Sequence, residues 1–121
     1  MKIPVIDKTK MELEVHFIDI EDIWYVGVEN SREVVYYTKK GVFSQPTSFE
    51  QVHTVLKQFQ FKRLDRGIAA NIKKINHFDK KFGKIYFDNK IKEDSMYATV
   101  SYSKIGSIRS AMKEEKVSPK N

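Results

Sequence analysis

The side chains of this 121-residue chain that could do chemistry fall into two sets, one acidic with histidine and one basic. The first set builds no catalytic centre. His16, His53 and His77 are scattered and lack the two-histidine spacing of a helical zinc site. Glu12, Glu14, Asp19, Glu21 and Asp22 crowd together in sequence, but strand alternation and a surface corner account for them. There is no Gly-x-Ser-x-Gly elbow, no phosphate-cradling glycine loop and no dinucleotide fingerprint. The chain has no cysteine, which excludes disulfides and thiolate-held metals. These observations point away from an enzyme and from any cofactor or metal.

The basic set is more informative. Residues 1–60 hold 7 Lys and Arg against 9 Asp and Glu, a net of −2, whereas residues 61–121 hold 15 against 7, a net of +8. Between Lys62 and Lys92 the balance is 10 basic to 3 acidic. A clustered cationic surface attracts a polyanion by releasing its condensed counterions. A solvated basic face is the competing explanation, and charge alone does not choose between them.

The elements that must carry these residues are mostly strands. Met11–Phe17 alternates, with Leu13, Val15 and Phe17 set against Glu12, Glu14 and His16, as in a half-buried strand. Asp19–Asp22 forms an acidic corner. Ile23–Val28 and Val34–Thr38 are β-branched and aromatic, with a hairpin loop from Glu29 to Glu33. Lys39-Lys40-Gly41 turns the chain into a short strand at Val42–Ser44. Phe49, Val52, Leu56 and Phe59 then share one face of an amphipathic helix near 48–59. Either Ser48 with Gln51 or Thr47 with Glu50 supplies its capping box. Further strands are predicted at Ile68–Ile72, Ile75–Phe78, Lys84–Phe87 and Met96–Val100. A short C-terminal helix follows, carried by Ile105, Ile108 and Met112, with Ser101 or Ser103 as cap and a frayed tail from Lys113. Met1–Lys10 carries charges and a proline rather than an apolar signal core, and no apolar run approaches the ~18 residues of a membrane span. One soluble, cytoplasmic domain with no membrane partner is expected.

In their order, these features resemble the LytTR family of bacterial DNA-binding domains. The matching run begins at Asp22-Ile23-Trp24-Tyr25-Val26 and continues through Thr38-Lys39-Lys40-Gly41 and Ser48-Phe49-Glu50-Gln51-Val52. The family pattern Phe-x-Arg-x-His-Arg-Ser-Tyr-x-Val-Asn-x-x-x-Ile is met in register by Phe61, Arg63, Arg66, Asn71 and Ile75, and Val100-Ser101-Tyr102 follows. The resemblance covers roughly 11–112. It implies an elongated stack of small antiparallel sheets, transcription regulation through sequence-specific binding of double-stranded DNA, and service as the output of a two-component response regulator. A homodimer on DNA and a receiver domain, which these residues do not encode, are the further partners to expect. The chain is then either a stand-alone regulator or an excised output domain.

By the same resemblance the DNA-binding residues are Arg32, Lys39, Lys62, Arg63, Asp65, Arg66, Asn71, Ser101, Tyr102 and Lys104. Three departures stand out: Asp65 replaces a histidine, Gly67-Ile68 a Ser-Tyr pair, and Tyr102 an arginine. Arg66 can read guanine through O6 and N7. Asp65 can accept from cytosine, orient Arg66, or simply cap a turn. Arg63 contacts phosphate or pairs with an acidic neighbour, and Asn71 contacts DNA or stabilises a turn. Arg32 and Lys39 sit in loops, where an ordinary solvated charge is the alternative. Ser101 caps the last helix or binds phosphate, Tyr102 packs or meets the sugar edge, and Lys104 binds phosphate.

Two other binding functions stay in play. Lys80–Phe87 partly matches an RNA-recognition signature, in which Phe82 and Tyr86 would stack on bases, though Lys81 and Lys84 stand where glycine and phenylalanine belong. Asp65 and Gly67 also suit a LytTR-like protein-interaction domain that has lost DNA binding.

Overall fold

Two runs of β-branched and aromatic residues, β3 (Ile23–Asn30) and β4 (Glu33–Thr38), form the paired centre of a seven-stranded antiparallel sheet. The structure, a computed structural model, describes residues 1–7, 9–10, 13–30 and 32–117, with side chains in the last helix as far as Lys113. The remaining strands of this sheet are β1 (Lys2–Asp7), β2 (Val15–Asp19), β5 (Gly41–Gln45), β6 (Phe61–Asp65) and β7 (Ile68–Asn71), in the order β2-β1-β5-β4-β3-β7-β6. A second sheet orders β10 (Tyr97–Thr99), β9 (Lys84–Tyr86) and β8 (His77–Asp79). Helix α1 (Phe49–Leu56) runs into a 3-10 turn at Lys57–Phe59, and α2 (Ile105–Val117) follows another at Tyr102–Lys104. The expected mostly-β stack of antiparallel sheets is thus realised as two. Among the described residues no helix is long and apolar enough to cross a membrane.

Each sheet face owns a core. Phe49, Val52 and Leu56 of α1 pack on one face against Ile23, Val26, Val34, Tyr36 and Phe43. The other face buries Tyr25, Leu64 and Ala70 against Ile85, Phe87 and Ala98 of the small sheet and Ile108 of α2. Register shifts in β3 between Ile23 and Tyr25, and in β6 between Arg63 and Asp65, let single strands feed both cores. Ser48 caps α1 by accepting from the Gln51 amide (3.2 Å), while the Thr47 hydroxyl bonds the Gln51 side chain (3.0 Å).

Four elements depart from expectation, the first being β6, a strand at Phe61–Asp65 where none was predicted. Strand β1 was not foreseen, because Pro4 and the flanking charges disguise it, yet it pairs with β2 from Lys2 to Ile6. The alternation near residue 15 marks a strand, but with its faces reversed. Val15 and Phe17 are exposed, whereas His16 is half-buried against Phe43 and Ile18 is buried. Met11 and Glu12, assigned to that strand, lie outside the described residues, as does the tail beyond Val117. Helix α2 runs to Val117, past Lys113, where fraying was expected, and its residues on the second core, Ile105, Ile108, Ala111 and Met112, all lie before that point.

Asn71, at the end of β7, is buried, and its side chain is fully engaged. Its amide donates to the Ile23 carbonyl (3.1 Å), and its oxygen accepts from the Lys73 N–H (3.2 Å), capping the turn at Ile72–Lys74. Asn71→Ala should therefore cost about 1–3 kcal/mol, since it strands a buried carbonyl and an amide. Urea denaturation measures this, and a loss below about 0.5 kcal/mol would mean that water replaces the side chain without penalty.

Candidate nucleic-acid interface

Four cationic segments meet because their strands leave them at neighbouring points. The first is the β3–β4 loop, where Arg32 is exposed and its N–H donates to Asn30 Oδ1 (2.9 Å). The second is the tight β6–β7 turn at Arg66-Gly67. Asp65 Oδ1 accepts the Arg66 backbone N–H (2.8 Å), which leaves the guanidinium exposed at the tip. Gly67 is required here by a close approach: a β-carbon on it would lie 2.9 Å from a methyl of Val28. That contact sets the second segment beside the first.

The third segment is the β8–β9 turn, Lys80-Lys81-Phe82-Gly83. Asp79 Oδ1 accepts from the amides of Lys81 (3.1 Å) and Phe82 (3.3 Å), and Gly83 takes φ +63°, a backbone state that favours glycine. Phe82 projects into solvent with Lys81 above its ring. The fourth segment is Ser101–Lys104. Its position is fixed twice: Ser101 N–H donates to the Leu64 carbonyl (2.8 Å), and Val100 N–H to the Gly83 carbonyl (2.9 Å). Tyr102 is 92% exposed, which excludes a packing role. Ser101 begins the 3-10 turn without a side-chain capping bond, its hydroxyl lying 3.4 Å from that of Ser103.

Lys104 also borders a cleft of about 520 Å³ between α1, β6 and α2, with Lys62, Arg63, His53, Lys57 and Ser107 on its walls. Arg63 is not a free cation, because its guanidinium contacts both oxygens of Glu50 at 2.9 Å and stacks over Phe49. Among the described residues Lys57, Lys62 and Lys104 have no carboxylate within ion-pair distance. Burial, with Arg63 and Lys57 adding to it and Glu50 opposing, holds His53 below the ordinary histidine range.

Two expected residues stand apart. Asn71 is committed to the interior, in the structural role that its type allowed. Lys39 lies at the far end of β4 from Arg32, about 20 Å along the strand at ~3.3 Å per residue. There it borders a hollow with Lys73 and Lys74. Conversely, Lys57, Lys80 and Lys81 join the basic surface although they were not among the expected DNA-binding residues. The density of lysine between 62 and 92 was the signal available for the latter pair.

A model of the LytTr DNA-binding domain matches residues 14–113. The chain belongs to that family. Among solved structures, the LytTr DNA-binding domain of a protein described as a methyl-accepting/DNA response regulator from Bacillus cereus is similar, at 12% identity and a TM-score of 0.65, covering 92% of this chain and 95% of that one. At that identity the likeness concerns the fold. No curated protein matches the sequence. Membership makes this LytTr domain a DNA-binding module of transcription regulation. The RNA-recognition reading fails on topology as well. The chain runs from β9 through bends to β10, with no helix in the place that fold requires.

The electrostatics of the cleft can be checked directly. Removing the Arg63 cation while keeping Glu50 should raise the His53 titration midpoint, since one lowering charge is lost and the opposing carboxylate is released. In Arg63→Gln, an NMR titration of the His53 ring should move upward. An unmoved midpoint would show that Glu50 already neutralises the guanidinium at that distance.

Proposed function

We propose that this LytTr domain binds duplex DNA sequence-specifically, as the output module of a bacterial signalling pathway in the cytoplasm, with its hairpin tips reading bases and its lysines holding phosphates. The observation that carries this reading is the junction of four loops through Gly67–Val28, Ser101–Leu64 and Val100–Gly83, with Arg66 exposed there and without a carboxylate partner among the described residues. A guanidinium on a rigid two-residue turn keeps its fork geometry and can take guanine O6 and N7 together. Arg32, Ser101 and Tyr102 flank it and supply further groove or sugar contacts. Lys57, Lys62, Lys80, Lys81 and Lys104 carry no base-reading geometry and act on the backbone, which positions without specifying.

Asp65 works through the chain rather than through a base. Its carboxylate holds the Arg66 amide, so it shapes the turn while placing a negative charge near the polyanion. Asparagine can accept the same bond without the charge. Asp65→Asn should therefore leave stability nearly unchanged and raise non-specific affinity. A large fall in thermal stability would instead make the charge itself essential to the turn.

Two measurements test the whole reading. If about five phosphates are neutralised, log K against log salt should fall with a slope near −4 to −5. A flat response, or tighter binding to single-stranded RNA, removes the assignment. Arg66→Ala should cost about 1–3 kcal/mol on a selected site and relax one base position, whereas Lys104→Ala should weaken all sequences alike. Equal, sequence-blind losses would deny Arg66 its readout role.

A further inference from the structure

We propose that strand β2 pairs with the same strand of a second copy of this chain, antiparallel about a two-fold axis through Val15. The proposal stands on the edge of the sheet and is independent of how the opposite strands meet DNA. Strand β2 ends the seven-stranded order, so among the described residues no strand bonds the outer side of its backbone. Leu13, Val15 and Phe17 are 82%, 67% and 64% exposed, and cross-strand neighbours Pro4 and Ile6 continue the apolar surface beside Phe17 and Val15. A hollow of about 400 Å³ opens there between Val15, Ile6, Pro4 and Pro46. An isolated exposed apolar residue needs no explanation, but a continuous apolar strip along a bare edge marks a docking surface.

The occupant is identified by the order of residues. Leu13-Glu14-Val15-His16-Phe17 has mirror symmetry in kind, apolar residues alternating with an acid and a base at mirror positions. Centred on Val15, an antiparallel pair sets Leu13 opposite the partner's Phe17 and Glu14 opposite the partner's His16. Glu14 and His16 already bond one another at 3.1 Å within the chain, and both are accessible enough to exchange that contact for the one across the axis. Other registers are disfavoured. A slip of one residue sets each strand's apolar side chains on the opposite face from its partner's. A slip of two places Glu14 against the partner's Glu14, or His16 against the partner's His16, and like groups directly opposite are unfavourable. The strand is thus self-complementary in one register, which is what an isologous two-fold interface demands.

The chain contains no cysteine, so single-cysteine variants report the geometry cleanly. Residues facing one another in an antiparallel pair have Cα atoms about 4.5–5.5 Å apart, within the range that a disulfide spans. Under mild oxidant, Val15→Cys should convert largely to a covalent dimer, while Gln58→Cys, on the exposed turn after α1, should stay monomeric at the same concentration. Glu14→Lys should weaken dimerisation of the otherwise unchanged chain roughly tenfold in sedimentation experiments, and Glu14→His with His16→Glu should restore it, because the swap preserves both carboxylate–imidazole pairs across the axis. Circular dichroism and melting confirm that each variant is folded. The proposal is overturned if the unmodified chain sediments as a monomer up to about 1 mM, the weak limit of specific association. It is equally overturned if Val15→Cys links no faster than Gln58→Cys, as when another protein or a further domain occupies the edge, or if the charge swap fails to restore what Glu14→Lys removes.

Discussion

The arrangement of this domain depends on how Tyr25 fastens the small sheet to the large one. Its ring lies flat between those of Tyr37 (4.3 Å) and Phe87 (5.5 Å), and its hydroxyl donates to the Tyr97 carbonyl (3.1 Å). Trp24 stacks on the same Phe87 at 5.6 Å. Burial and the neighbouring phenols raise the Tyr25 hydroxyl well above its ordinary value, so it remains a donor at any physiological pH. An aromatic stack gives area and the hydroxyl gives direction, and together they fix one sheet on the other. Ala70, directly across from Tyr25, is small enough to leave the ring layer undisturbed. This layer, with the Ser101–Leu64 and Val100–Gly83 backbone bonds, gives the loops of β8, β9 and β10 a defined relation to the tips of β3 and β6.

That fixed relation separates discrimination from affinity. A base-reading side chain must be held to within a fraction of an ångström, and Arg66 sits on a turn closed by Asp65 and wedged against Val28. A phosphate-binding lysine needs only reach and charge. The lysines of the β8–β9 turn and the cleft are exposed or half-exposed on flexible stems and have no paired acid among the described residues, which suits the backbone role proposed for them. The one cation in the cleft with an ordered partner, Arg63, is tied to Glu50 and Phe49 and spends its guanidinium joining β6 to α1.

Much of this was legible in the sequence, for identifiable reasons. Helix α1 announced itself through Ser48 and the spacing of Phe49, Val52 and Leu56, since local capping and period suffice to define it. The β3–β4 hairpin was readable from β-branched and aromatic runs bounded by a polar loop, whereas β6, Phe-Lys-Arg-Leu-Asp, carries too few such residues to announce a strand. Strand β1 was hidden because Pro4 argues against a strand, and only the pairing with β2, together with the Gln45 side chain donating to the Pro4 carbonyl, overrides that local signal. The reversed face of β2 could not be read from alternation, which gives the period of a strand but not which side meets the core. Asn71 illustrates the same limit: a residue matched in register to a binding motif proves to hold the Ile23 carbonyl inside the fold. Lys39 is separated from Arg32, the other expected loop cation of the first half, by the length of β4.

The uneven charge of the chain acquires a spatial meaning from this topology. Strands β1 and β2, drawn from the half with a net of −2, form one edge of the large sheet, whereas β6, from the half with a net of +8, forms the other. On the proposed reading a polyanion is drawn to the second edge and its neighbouring loops, and the exposed apolar strip of the first is the surface proposed for a second copy. On the two proposals together, assembly uses the edge at β2 and recognition uses the hairpin tips, and the packed sheet between them is the route by which one could influence the other.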